Sequence, residues 1–140
     1  MGLVLKVKAG DRVVVNGAVL RNASRTQMIV EIENQSDVLR AEEILAESMA
    51  STPVRRLCHL IQIAMVSRDD RATLFPRIYE AIAELEAALS KSQGQTLRDT
   101  RALVEENNLY AAYRRLLPVI TYEDELLALA AGTPAKEIAS

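Results

Sequence analysis

Hydrophobic and polar positions alternate along the first forty residues, and the alternation predicts strands. In Leu3-Val4-Leu5-Lys6-Val7-Lys8 every second side chain shares a face, so Leu3, Leu5 and Val7 are expected to turn inward and Lys6 and Lys8 outward. Gly10-Asp11 and Asn16-Gly17 mark tight turns, because both pairs tolerate the positive φ angles that hairpins require. Residues 26–33 are β-branched and partly alternating, which predicts a further strand ended by Asn34-Gln35-Ser36-Asp37. Val38-Leu39-Arg40 is expected as the last strand, with residues 41–45 turning into a short helical piece.

Beyond Thr52 the period becomes helical. Thr52-Pro53 offers a capping hydroxyl and a proline at a first position that needs no N–H. Val54, Leu57, Cys58, Ile61, Ala64 and Met65 then recur at helical spacing, with Leu60 and Ile63 on the flanks, which predicts the central helix of a bundle. A second helix is expected over 71–90 on the stripe Leu74, Ile78, Ile82, Leu85 and Leu89, with Pro76 either in its first turn, capped by Thr73, or kinking a helix begun near Asp69, the kink being favoured. Ser92-Gln93-Gly94-Gln95 is expected to break the chain, and Thr96 with Asp99 resembles a capping box opening a third helix. Asn107-Asn108 interrupts that helix, and Pro118 kinks or restarts the one after it. The predicted fold class is α+β: a small antiparallel β-barrel-like module over residues 1–47, an antiparallel helical bundle over 52–131, and a frayed tail over 132–140.

At 140 residues the chain suits one domain or a small module fused to a helical partner, and a 49% hydrophobic fraction is enough for a core. Aromatics make up 4% and Trp is absent, which argues against an RNA binder that stacks bases on an aromatic sheet. The net charge of −2 supplies no global field for nucleic acid, so any such site must be a local cluster. One cysteine, Cys58, excludes an internal disulfide and fits a reducing compartment. No membrane-length apolar run and no secretion segment stand in the sequence, so the expected location is cytoplasmic.

An enzyme is not expected. His59 neighbours Cys58, and adjacent helical residues point about 100° apart, so the two cannot pair as base and nucleophile. Cys and His are too few for a zinc site, and no metal or other cofactor is expected. Glu42-Glu43, Glu105-Glu106 and Glu123-Asp124-Glu125 read as solvated helix faces, and the dispersed glycines make no phosphate loop. Among the basic residues, Arg21, Arg25, Arg55-Arg56 and Arg114-Arg115 fit ordinary solubility. Lys6, Lys8 and Arg40 stand on the first and last strands, and edge strands of a small barrel often come together. They would then make one cationic strip for a phosphate backbone.

Several of these segments, in order over nearly the whole length, resemble the FlbT family of flagellar biosynthesis regulators. They are residues 3–11, Asn16-Gly17-Ala18-Val19, Val38-Leu39-Arg40, Thr52-Pro53-Val54-Arg55-Arg56, Tyr110 and Tyr122-Glu123-Asp124-Glu125-Leu126. The resemblance implies a post-transcriptional regulator that acts through the 5′ leader of flagellin mRNA and works with FlaF and flagellin. Residues 3–45 also resemble the carbon storage regulator family, whose two chain ends meet as outer strands and bind an RNA loop. That resemblance implies RNA contact at Leu5, Lys6, Lys8 and Arg40, with departures at Val7, usually basic there, and at the inserted Ala41.

Two readings follow. In the first, the β module presents Lys6, Lys8 and Arg40 (beside Leu5) to leader RNA, and Tyr110, Tyr113 and Tyr122 of the bundle anchor a protein partner. In the second, the chain is an adaptor that binds flagellin or FlaF without touching RNA. A homo-oligomer is compatible with both.

Overall fold

The computed structural model describes residues 2–132, so the tail expected over 132–140 lies outside the described residues except for Gly132. Five strands form two small antiparallel sheets that do not close into a barrel. Strand β1 (Leu3–Val7) pairs with β4 (Met28–Ile32), while β2 (Arg12–Val15) lies between β3 (Ala18–Arg21) and β5 (Val38–Arg40). The first and last strands, expected side by side, therefore belong to different sheets.

The two sheets share a small core of Leu5, Val7, Val13 and Val38. Leu3 was expected there too, but it is 44% exposed. It sits opposite Ile32 at the end of the sheet and lines an open hollow with Asn34, Ser36 and Val38. Strand β2 is buried on both faces: Val13 turns to the small core, and Val14 joins Leu39 in the core of the helices. This explains its unbroken apolar run, since a strand covered on both sides shows no alternation.

Asn16 (φ 48°) and Gly17 (φ 85°) both adopt the left-handed region, as a two-residue hairpin turn between β2 and β3 requires. The turn rests on the end of the first helix, and a Cβ built on Gly17 would lie 3.3 Å from the carbonyl oxygens of Met65 and Val66. Gly17→Ala combines left-handed strain with that close contact and is expected to cost about 1–2 kcal/mol. Urea unfolding checks it.

Helix α1 (Pro53–Val66) begins where Thr52 Oγ1 accepts the Arg55 N–H at 3.3 Å, and all six residues of the expected stripe are buried. The segment before it is strapped to its side. Gln62, 3% exposed, donates to the Glu43 carbonyl and accepts the Leu45 N–H, both at 2.8 Å, and His59 Nδ1 lies 3.2 Å from the Leu45 carbonyl. The lone histidine is thus a structural residue.

Helix α2 (Arg71–Glu105) departs most from expectation. Its backbone stays helical through Pro76 and through residues 92–95, and its one non-helical residue is Leu89 (φ −122°, ψ 23°). Arg71 Nη1 donates to Asn107 Oδ1 at 3.1 Å. A straight helix would hold those residues about 50 Å apart at 1.5 Å per residue, so the two arms fold back on one another at Leu89. An Arg101–Glu86 ion pair ties the arms together. The Thr96–Asp99 capping box does not form, because both residues are inside the second arm. There the Thr96 carbonyl accepts the Thr100 hydroxyl, and Asp99 accepts the Gln95 amide.

The chain breaks at Asn107 (φ 60°), as expected. Helix α3 (Leu109–Arg115) follows, and α4 (Leu117–Ala130) restarts with Pro118 in its first turn. All four helices contribute buried residues to one core, with Leu57, Ile61, Met65, Ile78, Ile82, Leu97, Leu109 and Leu116 fully buried.

Candidate nucleic-acid interface

Strand register gathers six cations of the β module at one end, where Asp11, Glu42 and Glu43 also stand. Val7 opposes Met28, Arg12 opposes Arg21, and Arg40 opposes Val13, so the β1–β2 turn, the 22–27 loop and the exit of β5 share one end. Lys8, Arg12, Arg21, Arg25 and Arg40 stand there, all exposed, with exposed Lys6 one pleat inward. Glu31, Glu33 and Asp37 stand at or toward the other end. Among the described residues none of these six cations lies within 4.0 Å of a carboxylate.

The end is held rigidly. Asn22 is 2% exposed and donates to the carbonyls of Val7 and Thr26, each at 2.9 Å, while its oxygen accepts from Ser24. Its backbone N–H meets the Asp11 carbonyl and its carbonyl accepts the Gly10 N–H, both at 2.9 Å. One buried amide thus fixes the turn against the loop.

The strands of Lys6 and Arg40 are not hydrogen-bonded to each other, and the two residues share only a small hollow. Both line a hollow of about 40 Å³ with Leu5, Val7, Asp11, Arg12, Val13, Ala41 and Glu42. Lys8 is exposed in the turn beyond β1. Leu5 is 2% exposed, so its side chain belongs to the core and is not at the surface where RNA contact was expected. Arg12 was missed. In sequence it is a single cation before an apolar run, and only the strand register sets it opposite Arg21, while Arg40 opposes the next residue, Val13.

The three tyrosines differ. Tyr113 is 7% exposed within the helical core, and burial pushes its phenol pKa above the usual range. Its ring packs in the core and not at the surface where a partner contact was expected. Tyr110 donates to Glu43 Oε2 at 2.8 Å, and burial followed by that bond raises its pKa as well. Glu43 Oε1 accepts the Arg40 N–H at 3.0 Å, so this carboxylate joins the exit of β5 to α3. Tyr122 remains half-buried on α4, on the same helix face as Leu126 (38% exposed) and Leu129 (58% exposed).

The carboxylates expected as solvated faces include structural ones. Glu123 is 7% exposed and its Oε2 accepts the Val54 N–H at 3.0 Å, so α4 caps the start of α1. Asp124 takes both terminal nitrogens of Arg55 at 2.7 and 2.8 Å, and that bond holds its carboxyl below the usual range. Burial, and then nearby Glu123, push the Cys58 thiol up to about 12, so it stays a protonated packing group at neutral pH. Glu123→Ala strands a buried N–H at the helix start and is expected to cost about 1–3 kcal/mol, read by thermal unfolding.

Among the described residues no group of three or more His, Cys, Asp or Glu side chains is placed to hold a metal ion, and no helix is long and apolar enough to cross a membrane. No solved structure matches the chain. Curated relatives do. A probable flagellum biosynthesis repressor protein FlbT of Rhodopseudomonas palustris (strain TIE-1) is 32% identical over 129 residues, covering 91% of this chain and 99% of the relative. The flagellum biosynthesis repressor protein FlbT of Caulobacter vibrioides (strain ATCC 19089 / CIP 103742 / CB 15) is 29% identical, covering 91% and 90%. The Thr52–Arg56 and Tyr122–Leu126 segments, distant in sequence, meet in space through the Glu123 cap and the Arg55–Asp124 pair. The family model described as flagellar protein FlbT matches residues 3–127, and the chain belongs to that family.

Proposed function

We propose that this protein regulates flagellar biosynthesis by contacting the 5′ leader of flagellin mRNA through the cationic end of its β module. Relatives named as flagellum biosynthesis repressors support the regulatory role. The observation that carries the RNA contact is the gathering of six exposed cations at one end of the module, none within 4.0 Å of a carboxylate among the described residues, although Asp11, Glu42 and Glu43 stand at the same end. In an acidic molecule, such a cluster provides a local phosphate-binding surface without a global field. Lys6, Arg12 and Arg40 at the hollow, with Lys8 beside them, supply phosphate contacts and charge-assisted hydrogen bonds. The β module carries no aromatic side chain of its own, so recognition runs through the backbone and shape of the RNA more than through stacked bases.

A second reading rests on α4. Tyr122, Leu126 and Leu129, with Leu127 half exposed beside them, form an apolar stripe suited to a protein partner such as flagellin or FlaF. The two readings combine if the bundle holds the partner while the β module holds RNA. Filter binding of labelled flagellin leader RNA to purified protein, with and without FlaF or flagellin, separates them. The RNA reading expects retention by the protein alone. Retention only when a partner is added would assign RNA contact elsewhere.

A further inference from the structure

The pairing of β2 with β3 sets Arg12 directly opposite Arg21. Opposed residues of an antiparallel pair share a face, with Cβ atoms about 4.5–5.5 Å apart, and like charges placed so are destabilising. Neither guanidinium has a carboxylate within 4.0 Å among the described residues, and both side chains are exposed. The ends of both strands are pinned just beyond the pair, where the Asn22 N–H bonds to the Asp11 carbonyl beside Arg12 and Asn22 itself follows Arg21, while Val13 opposite Leu20 continues the ladder on the other side. Two forked cations therefore leave one face of the sheet from opposed positions, with no carboxylate within 4.0 Å among the described residues.

We propose that Arg12 and Arg21 form a phosphate clamp that takes one phosphodiester of the bound RNA. The clamp rests on the RNA reading given above and adds a named subsite to it. Each guanidinium presents parallel N–H donors that fit two oxygens of a phosphate, and the anion between them offsets their mutual repulsion. Arg12 also lines the hollow that holds Lys6 and Arg40. The cationic track consequently runs from β1 and β5 across β2 to β3, and Arg21, which fits ordinary solubility in sequence, becomes part of it.

The test compares the full chain with Arg12→Gln, Arg21→Gln, the double variant and Arg12→Lys. Two probes are used: labelled leader RNA in filter binding, and inorganic phosphate against chloride at equal ionic strength in thermal unfolding. The clamp expects the double variant to unfold no earlier than wild type without phosphate, since a repulsion is removed. It expects RNA affinity to fall about tenfold or more. Either single substitution should produce most of that loss, and Arg12→Lys, which keeps charge without the fork, should recover only part.

If phosphate raises the unfolding midpoint of wild type and not of the double variant, the clamp takes a free phosphate as well. If RNA affinity falls without a phosphate response, the diester chain alone is the ligand, and the clamp stands. RNA bound equally by wild type and double variant overturns the clamp while leaving the RNA reading intact. If wild type binds no RNA, the RNA reading fails, and the clamp falls with it unless phosphate stabilises wild type selectively.

Discussion

Leu39→Ala is expected to lose about 2–5 kcal/mol of stability, the range for removing a fully buried leucine. Native domains hold only about 5–15 kcal/mol in total, so this single change moves much of the population toward unfolding. The size follows from position. Leu39 is 0% exposed on β5 and packs into the helical core with Val14 of β2. It therefore fastens the β module to the bundle as well as filling space. Urea titration followed by far-ultraviolet circular dichroism reads the loss as a lower midpoint. Leu3→Ala, at a strand position 44% exposed, is the matched control and should change stability by less than about 0.5 kcal/mol.

Reversing Lys6, Lys8 and Arg40 to glutamate is expected to weaken leader RNA binding on the order of a hundredfold at low salt, since phosphate contacts become repulsions. Fold stability should barely change, because the three side chains are exposed and make no ion pair among the described residues. Replacing Glu31, Glu33 and Asp37 by glutamine or asparagine changes net charge in the opposite direction away from the cationic end. On the present account it leaves RNA binding unchanged or slightly tighter. If net charge alone governed binding, the acid variant would tighten it by about half as much, in log affinity, as the reversal weakens it, and the localised interface would be lost. Competition filter binding measures both.

How much of this was legible in sequence depends on whether a signal was local. Thr52-Pro53 and the six-residue apolar stripe place α1 and its buried face correctly, because cap, proline and period agree. Asn16-Gly17 identifies its hairpin for a similar reason: two adjacent residues needing positive φ leave few alternatives. The fold-back in α2 was displaced. Ser92-Gln93-Gly94-Gln95 has weak helical propensity, yet the segment stays helical and Gly94 is buried, while the turn falls at Leu89 within the apolar stripe. Tertiary packing of the two arms outweighs a preference of at most about 1 kcal/mol per residue.

The candidate interface was half legible. Alternation marked Lys6 and Lys8 as outward, and both are exposed. The same alternation turned Leu5 inward, against the surface role implied by the resemblance to carbon storage regulators, and the core holds it. Arg12 and Arg21 could not be recognised as a pair, since their opposition depends on register and on which strands become neighbours. Glu123 was hidden for the opposite reason. An acidic run reads as solvated, and only the approach of α4 to the start of α1 makes one of its members a buried cap.

The central claim is that positive charge at one end of the β module contacts RNA phosphates directly. Its most direct test is the salt dependence of leader RNA binding by the protein alone. Engagement of five or six phosphates on a single strand predicts a slope of roughly −3.5 to −4 in log affinity against log salt, reduced by about 2 when Lys6, Lys8 and Arg40 become glutamine. A slope near zero, or one the triple variant leaves unchanged, would contradict the account.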